Sequence, residues 1–230
     1  EGLRQTIAKQ LKNVLIDSYH AHSSDRLYSP DAEESGRRSL RNGVLNYLIS
    51  LDDPEMLDLC INQYRSTDNM TDRMAALGLL TNIDHPARQE ALEDFYEQWR
   101  DEALVLDKWF AVQAVSILAK TLETIKLLIT HTAFSLHNPN SVRALIGTFA
   151  SANLLRFHEE NGKGYRFLAD CVLELDRLNP QVAARLLTLF GHWRRYDEDR
   201  QILIKGEVKR VLSYKKLSRA TYEIATKTLA

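Results

Sequence analysis

The sequence predicts an all-α fold, and two observations carry that reading: apolar residues recur at helical spacing from end to end, and every proline stands where a helix can begin. Leu3, Ile7, Leu11, Val14 and Leu15 form one stripe, and Leu40, Val44, Tyr47 and Leu48 another. Val105, Trp109, Val112, Gln113 and Ser116 repeat the spacing with a polar end, and Ile202, Val208, Val211 and Leu212 give a weaker version. Residues spaced three and four apart share one face of a helix. The sequence has no sustained two-residue alternation and no Asn-Gly or Asp-Gly hairpin turn between alternating segments, which argues against strands.

The prolines give the architecture. Ser29-Pro30, Asp53-Pro54, Asn138-Pro139 and Asn179-Pro180 each pair a capping residue with proline, and Pro86 has Asp84 two places before it. Ser, Asp and Asn accept hydrogen bonds from the free N–H groups of a first turn. Proline at the first helical position forfeits no bond, because that N–H has no partner anyway. Two starts resemble each other: Asn138-Pro139-Asn140-Ser141-Val142-Arg143-Ala144-Leu145 and Asn179-Pro180-Gln181-Val182-Ala183-Ala184-Arg185-Leu186 begin 41 residues apart. That spacing lies within the about 40–47 residues of HEAT and armadillo repeats. The expectation is a superhelical array of stacked helical hairpins, with about ten to twelve helices. Turns are expected near Tyr19–Ser29, Ser66–Met70, Asp84, Ser135–Asn138, Glu159–Gly164 and Asn179.

The 230 residues suit one large domain or one extended array, and 44% apolar with 27% charged residues is an ordinary globular mixture that permits a sizeable core. Nucleic-acid binding needs a basic excess or stripe, and 30 basic against 31 acidic residues give neither. Arg37-Arg38, Arg194-Arg195 and Lys215-Lys216 read as solvated helix surface. No run approaches the roughly 20 apolar residues of a membrane span. Cys60 and Cys171 lie in separate apolar runs and read as buried core residues, a usage that fits a reducing cytoplasm. The chain opens on Glu1 inside an amphipathic pattern with no signal peptide before it, so the expectation is a fragment of a longer cytoplasmic protein.

A catalytic centre requires a constellation, and none is assembled by spacing. His-Glu-x-x-His puts two imidazoles on one helix face for zinc. His158-Glu159 begins that pattern, but Gly162 stands where the second histidine belongs. His20, His22, His85, His131, His137 and His192 have no helical partner at ligand spacing. Gly162-Lys163-Gly164 lacks both the third glycine and the preceding strand of a phosphate loop and reads as a turn opening a helix near Tyr165. A Gly-x-Ser-x-Gly elbow is absent, and the adjacent carboxylates Glu33-Glu34 and Glu159-Glu160 diverge on a helix. Trp109 and Phe110 are expected in the core with Asp107 and Lys108 outside. Trp193 is expected to pack on a neighbouring helix rather than on bases. The expectation is a chain with no catalytic and no metal-binding residues. Arg143 and Arg185 are the exception to blandness. Each lies early in a proline-started helix amid apolar neighbours, where a guanidinium serves as surface residue, buried ion-pair partner or fork for a carboxylate.

The string Asp107-Lys108-Trp109-Phe110-Ala111-Val112-Gln113-Ala114 resembles one in the bacterial aminopeptidase N family, M1 zinc metallopeptidases of the alanyl aminopeptidase type. The order continues through Phe134-Ser135-Leu136-His137-Asn138-Pro139-Asn140, Val142-Arg143-Ala144-Leu145-Ile146-Gly147, Phe157-His158, Gly162-Lys163-Gly164-Tyr165, Asn179 to Leu186, Arg195-Tyr196-Asp197 and Leu217-Ser218 to Ala230. Ala220 departs from it, where relatives often carry Asp near the last helix start. The resemblance implies that residues 1–230 are a single C-terminal helical-repeat domain of a larger hydrolase that removes N-terminal residues from peptides. It implies that zinc and its ligands belong to the parent's catalytic domain, with no cofactor in this chain. The helical domain would then cover the active-site chamber and help control peptide access, with Arg143 and Arg185 lining the substrate channel. Its partners would be the catalytic domain of the same polypeptide and peptide substrates, not nucleic acid or membrane. The readings that compete are a free-standing helical-repeat protein-interaction scaffold and an autonomous helical enzyme, which the motif search disfavours.

Overall fold

The computed structural model describes residues 2–23 and 28–230, and the described residues are all-helical with no strand. They cluster into two compact units, Glu1–Phe95 and Tyr96–Ala230. The turn expected over Tyr19–Ser29 falls partly outside the described residues.

The first unit holds α1 (Gly2–Gln10), α2 (Lys12–Ala21), α3 (Ala32–Leu48), α4 (Pro54–Ser66), α5 (Met70–Leu80) and most of α6 (Pro86–Trp99), with a 3-10 turn at Ile49–Leu51. Here α2 packs on α3, α3 on α5, and α4 on α5. Their facing residues Leu45, Leu48, Cys60, Ala76 and Leu77 are wholly buried. Burial pushes the Cys60 thiol up to about 12, so this cysteine is an inert core residue.

The second unit begins within α6 and holds α7 (Ala103–Ala114), α8 (Thr121–Ile129), α9 (Pro139–Val142), α10 (Thr148–Ala152), α11 (Leu154–Phe157), α12 (Lys163–Leu178), α13 (Pro180–Leu187), α14 (Glu198–Leu212) and α15 (Arg219–Leu229). A π-helical turn, Arg143–Gly147, joins α9 to α10, and a 3-10 stretch, Thr188–Arg195, follows α13. The α12–α13 hairpin packs against α14 and α15, while α7 packs on α8 and on the π turn. Trp109 and Phe110 are buried, Asp107 is half-buried and Lys108 is exposed, as expected. Trp193 is buried and donates its indole N–H to the Thr228 carbonyl of α15 at 2.8 Å. Cys171 is buried as well, its thiol likewise pushed up to about 12.

Helix starts follow the sequence closely. Asp53, Asn138 and Asn179 each accept a first-turn N–H, with proline at the first helical position. Two starts differ. Before α3 the cap is Asp31, which accepts Glu34 N–H at 2.8 Å, so Pro30 stands outside the helix and Ser29 instead bonds the Asp31 carboxylate. Before α6 the first turn is closed by His85 Nδ1, which accepts Ala87 N–H at 3.2 Å, rather than by Asp84. Ala220 leaves α15 intact, because its cap is Ser218, whose side chain accepts Thr221 N–H at 3.3 Å.

Fifteen α-helices among the described residues exceed the expected ten to twelve. Apolar periodicity runs straight across short breaks, so it merges helices that the backbone separates. Leu11 shows the effect: it interrupts α1 and α2 with a non-helical φ of −108° and ψ of 14°. The break disturbs the register of the N-terminal stripe. Ile7 and Leu15 are half-buried, but Leu3 is 76% and Val14 63% exposed.

Candidate functional site

The site is built from two similar helix starts in the second unit. Asn138 Oδ1 accepts Asn140 N–H at 3.0 Å and launches α9. Val142, Leu145 and Ile146 then turn inward and are fully buried, which leaves Arg143 on the outward face. The π turn begins at Arg143. Such a turn adds one residue to the helical circuit and shifts the side chains that follow. The Arg143 carbonyl accepts the Thr148 hydroxyl at 3.2 Å, and its Nη2 donates to Asn140 Oδ1 at 3.2 Å.

Asn179 repeats the device for α13, accepting Val182 N–H at 3.3 Å. Ala183, Leu186 and Leu187 face inward, and Arg185 stays exposed between them. Leu186 closes the gap between the two starts: a Cβ on Gly147 would lie 3.8 Å from its Cδ2 and 3.7 Å from Arg143 Cγ.

Arg143 and Arg185 thereby border one pocket of about 360 Å³, together with Pro139, Thr148, Ser151 and Val182. No carboxylate lines it, and neither arginine has an ion pair among the described residues. Two unpaired guanidiniums beside apolar wall make a positive pocket suited to a carboxylate or a row of carbonyls.

Other motifs resolve into structure. His158, from the incomplete zinc pattern, is a hub: its Nδ1 lies 2.9 Å from Tyr165 OH and its Nε2 2.8 Å from Tyr196 OH. Arg200 Nε donates to the His158 carbonyl at 2.7 Å. Burial, with the Arg200 charge adding to it, holds this imidazole down at about 4, so it is neutral at pH 7. Gly162 has a φ of 64° and opens α12, as the turn reading expects. Among the described residues no three His, Cys, Asp or Glu side chains gather as a metal site. No helix among them is long and apolar enough to cross a membrane.

Two polar centres escaped sequence reasoning. Asn153 is 3% exposed and donates Nδ2 to the carbonyls of Ala114 and Ser116, at 2.9 and 2.8 Å, while its Oδ1 accepts Arg156 N–H. Asp176, inside α12, binds the start of α15. The Asn153 bond to Arg156 N–H is a local helix cap, but its partners at Ala114 and Ser116, like those of Asp176, lie far along the chain and leave no sequence signal.

Comparison with known proteins adds three likenesses. Aminopeptidase N of Escherichia coli is 36% identical over 231 residues, covering 100% of this chain and 26% of that protein. Aminopeptidase N of Caulobacter vibrioides is 38% identical over 229 residues, again covering 100% of this chain and 26% of that one. The crystal structure of Legionella pneumophila aminopeptidase A in complex with aspartic acid matches with a TM-score of 0.91 at 31% identity, over 99% of this chain and 27% of that chain. This chain therefore spans about a quarter of the proteins it matches. A family profile described as a domain of unknown function, DUF3458_C, with ARM repeats, matches residues 1–230, and the chain belongs to that family of helical-repeat domains.

Proposed function

We propose that residues 1–230 form the single non-catalytic C-terminal domain of an M1-family zinc aminopeptidase, covering the active-site chamber and helping to control peptide access. The observation that carries this reading is the pocket shared by Arg143 and Arg185, positive and free of carboxylates. A guanidinium there meets the C-terminal carboxylate or the carbonyls of a peptide beyond its first residues. Similarity to aminopeptidases over the whole chain supports the hydrolase assignment of the parent. We take the covering partner to be the catalytic domain of the same polypeptide. In this reading zinc resides in that catalytic domain, this chain needs no cofactor, and the protein works in the cytoplasm without nucleic-acid or membrane partners.

Metal analysis and an aminoacyl-arylamide assay test the proposal on two samples. The polypeptide carrying this chain is expected to hold zinc and to hydrolyse the arylamide. The 230-residue chain alone is expected to fold, to hold no zinc after dialysis and to be inactive. Tightly bound zinc with hydrolysis by the chain alone contradicts the proposal. So does an inactive, zinc-free parent.

A further inference from the structure

The Arg143–Arg185 pocket has a neighbour. Thr188, an exposed residue at its border, also borders a second pocket of about 260 Å³, lined by Gly191, Arg194, Ile224, Lys227 and Thr228. This second pocket lies between the 3-10 stretch Thr188–Arg195 and α15. The two pockets thus adjoin across one side chain, both within the unit Tyr96–Ala230. Cations border each, and no carboxylate lines either: Arg143 and Arg185 stand at one end, Arg194 and Lys227 at the other. The sequence accounts for the imbalance. No Asp or Glu occurs from Pro139 to Phe157 or from Pro180 to Tyr196, in a chain with 30 basic and 31 acidic residues.

Arg194 and Lys227 are exposed, so their charged ends are open to a ligand. Neither has an ion pair or a side-chain hydrogen bond among the described residues. Stacking positions Arg194: its guanidinium lies 4.3 Å from the centre of the Trp193 ring, and the Trp193 indole is itself held by the Thr228 carbonyl at 2.8 Å. A stack uses the flat face of a guanidinium and leaves its N–H edge free. Glu223, one turn before Lys227, is taken by Arg219 at 2.7 Å. Like charges along one groove repel, and an anion laid among them relieves that repulsion. A carboxylate side chain fits both groups, because it accepts paired N–H donors from arginine and a point charge from lysine.

We propose that this groove selects acidic peptides. The Arg143–Arg185 pocket holds the peptide, and Arg194 with Lys227 takes the side-chain carboxylate of a glutamate or aspartate further along it. This inference rests on the peptide-access reading above and names the substrate class of that site.

Alanine hexapeptides test it, with the C-terminus amidated so that no terminal carboxylate competes. A single glutamate is moved through positions three to six, and a lysine series serves as the opposite charge. Hydrolysis is followed with the polypeptide that carries this chain. One glutamate position is expected to lower KM about two- to fivefold against the all-alanine peptide, the scale of an exposed ion pair, and lysine there is expected to raise it. The preference is expected to shrink at about 0.5 M NaCl, since exposed charges are screened. Arg194→Gln combined with Lys227→Gln is expected to bring the glutamate and alanine KM values together. Lys227→Gln alone, at an exposed position, keeps the test decisive if loss of the Trp193 stack prevents folding of the double variant, and is expected to roughly halve the preference. Equal KM values for all glutamate and alanine peptides in the wild type overturn the proposal. A glutamate preference that these variants leave unchanged overturns it too. Failure of the peptide-access reading is a different result: Arg143→Ala then leaves the KM of the all-alanine peptide unchanged.

Discussion

Ser218 donates both its backbone N–H and its hydroxyl to the carboxylate of Asp176, at 2.8 and 2.5 Å, which ties the start of α15 to the last turn of α12. Thr221 adds a third donor to the same carboxylate at 2.5 Å. Asp176 is 5% exposed and Thr221 is wholly buried, so water cannot replace these bonds. Asp176→Ala leaves three donors unsatisfied and is expected to destabilise the protein by about 2–4 kcal/mol. Urea unfolding checks this; a loss within the ~0.5 kcal/mol usual for surface changes would mean that the clip is unimportant.

His158 makes stability depend on pH. Its folded pKa, about 4, lies below the ordinary 6.5, so the unfolded chain binds the proton first. The stabilisation is therefore complete above about pH 6.5 and is lost as pH falls toward 4. Protonation would set an imidazolium beside Arg200 in a partly buried site. Urea midpoints at pH 7 and pH 5 are expected to differ more in the wild type than in His158→Gln. Equal differences in the two proteins contradict this role.

Gly164 is required by space rather than by backbone angle. A Cβ there would lie 2.3 Å from the Phe157 carbonyl oxygen, and a backbone atom cannot swing aside. Gly164→Ala is expected to cost about 1–3 kcal/mol, because α12 must move off α11. Gly191 is the control: nothing lies within 4 Å of its added Cβ, so Gly191→Ala is expected to be neutral or slightly stabilising. Thermal unfolding of the pair separates the two cases, and equal shifts would refute the steric account.

Local chemistry made much of this fold legible. Asp53, Asn138 and Asn179 cap helices next to proline as expected, because a cap and its N–H lie within four residues. The Arg143–Arg185 pair was also approachable, since both stand in the first two turns of two similar helix starts. What could not be read is what long-range packing decides. The exposure of Leu3 and Val14 depends on a break at Leu11 that carries no Gly or Pro. Likewise, Arg41 of α3 meets Asp72 of α5 at 3.5 Å, a pairing that packing alone decides.

The most direct test of the central claim uses Arg143→Ala and Arg185→Ala in the polypeptide that carries this chain, with a peptide and a single-residue arylamide as substrates. Contacts remote from the scissile bond act in ground and transition states alike, so their loss mainly raises KM. A charge-assisted hydrogen bond contributes about 1.5–3 kcal/mol, so each change is expected to raise the peptide KM by roughly ten- to a hundredfold. The arylamide cannot reach that far and is expected to be affected much less. Equal losses on both substrates, or no loss on either, would contradict a role for this pocket in peptide access.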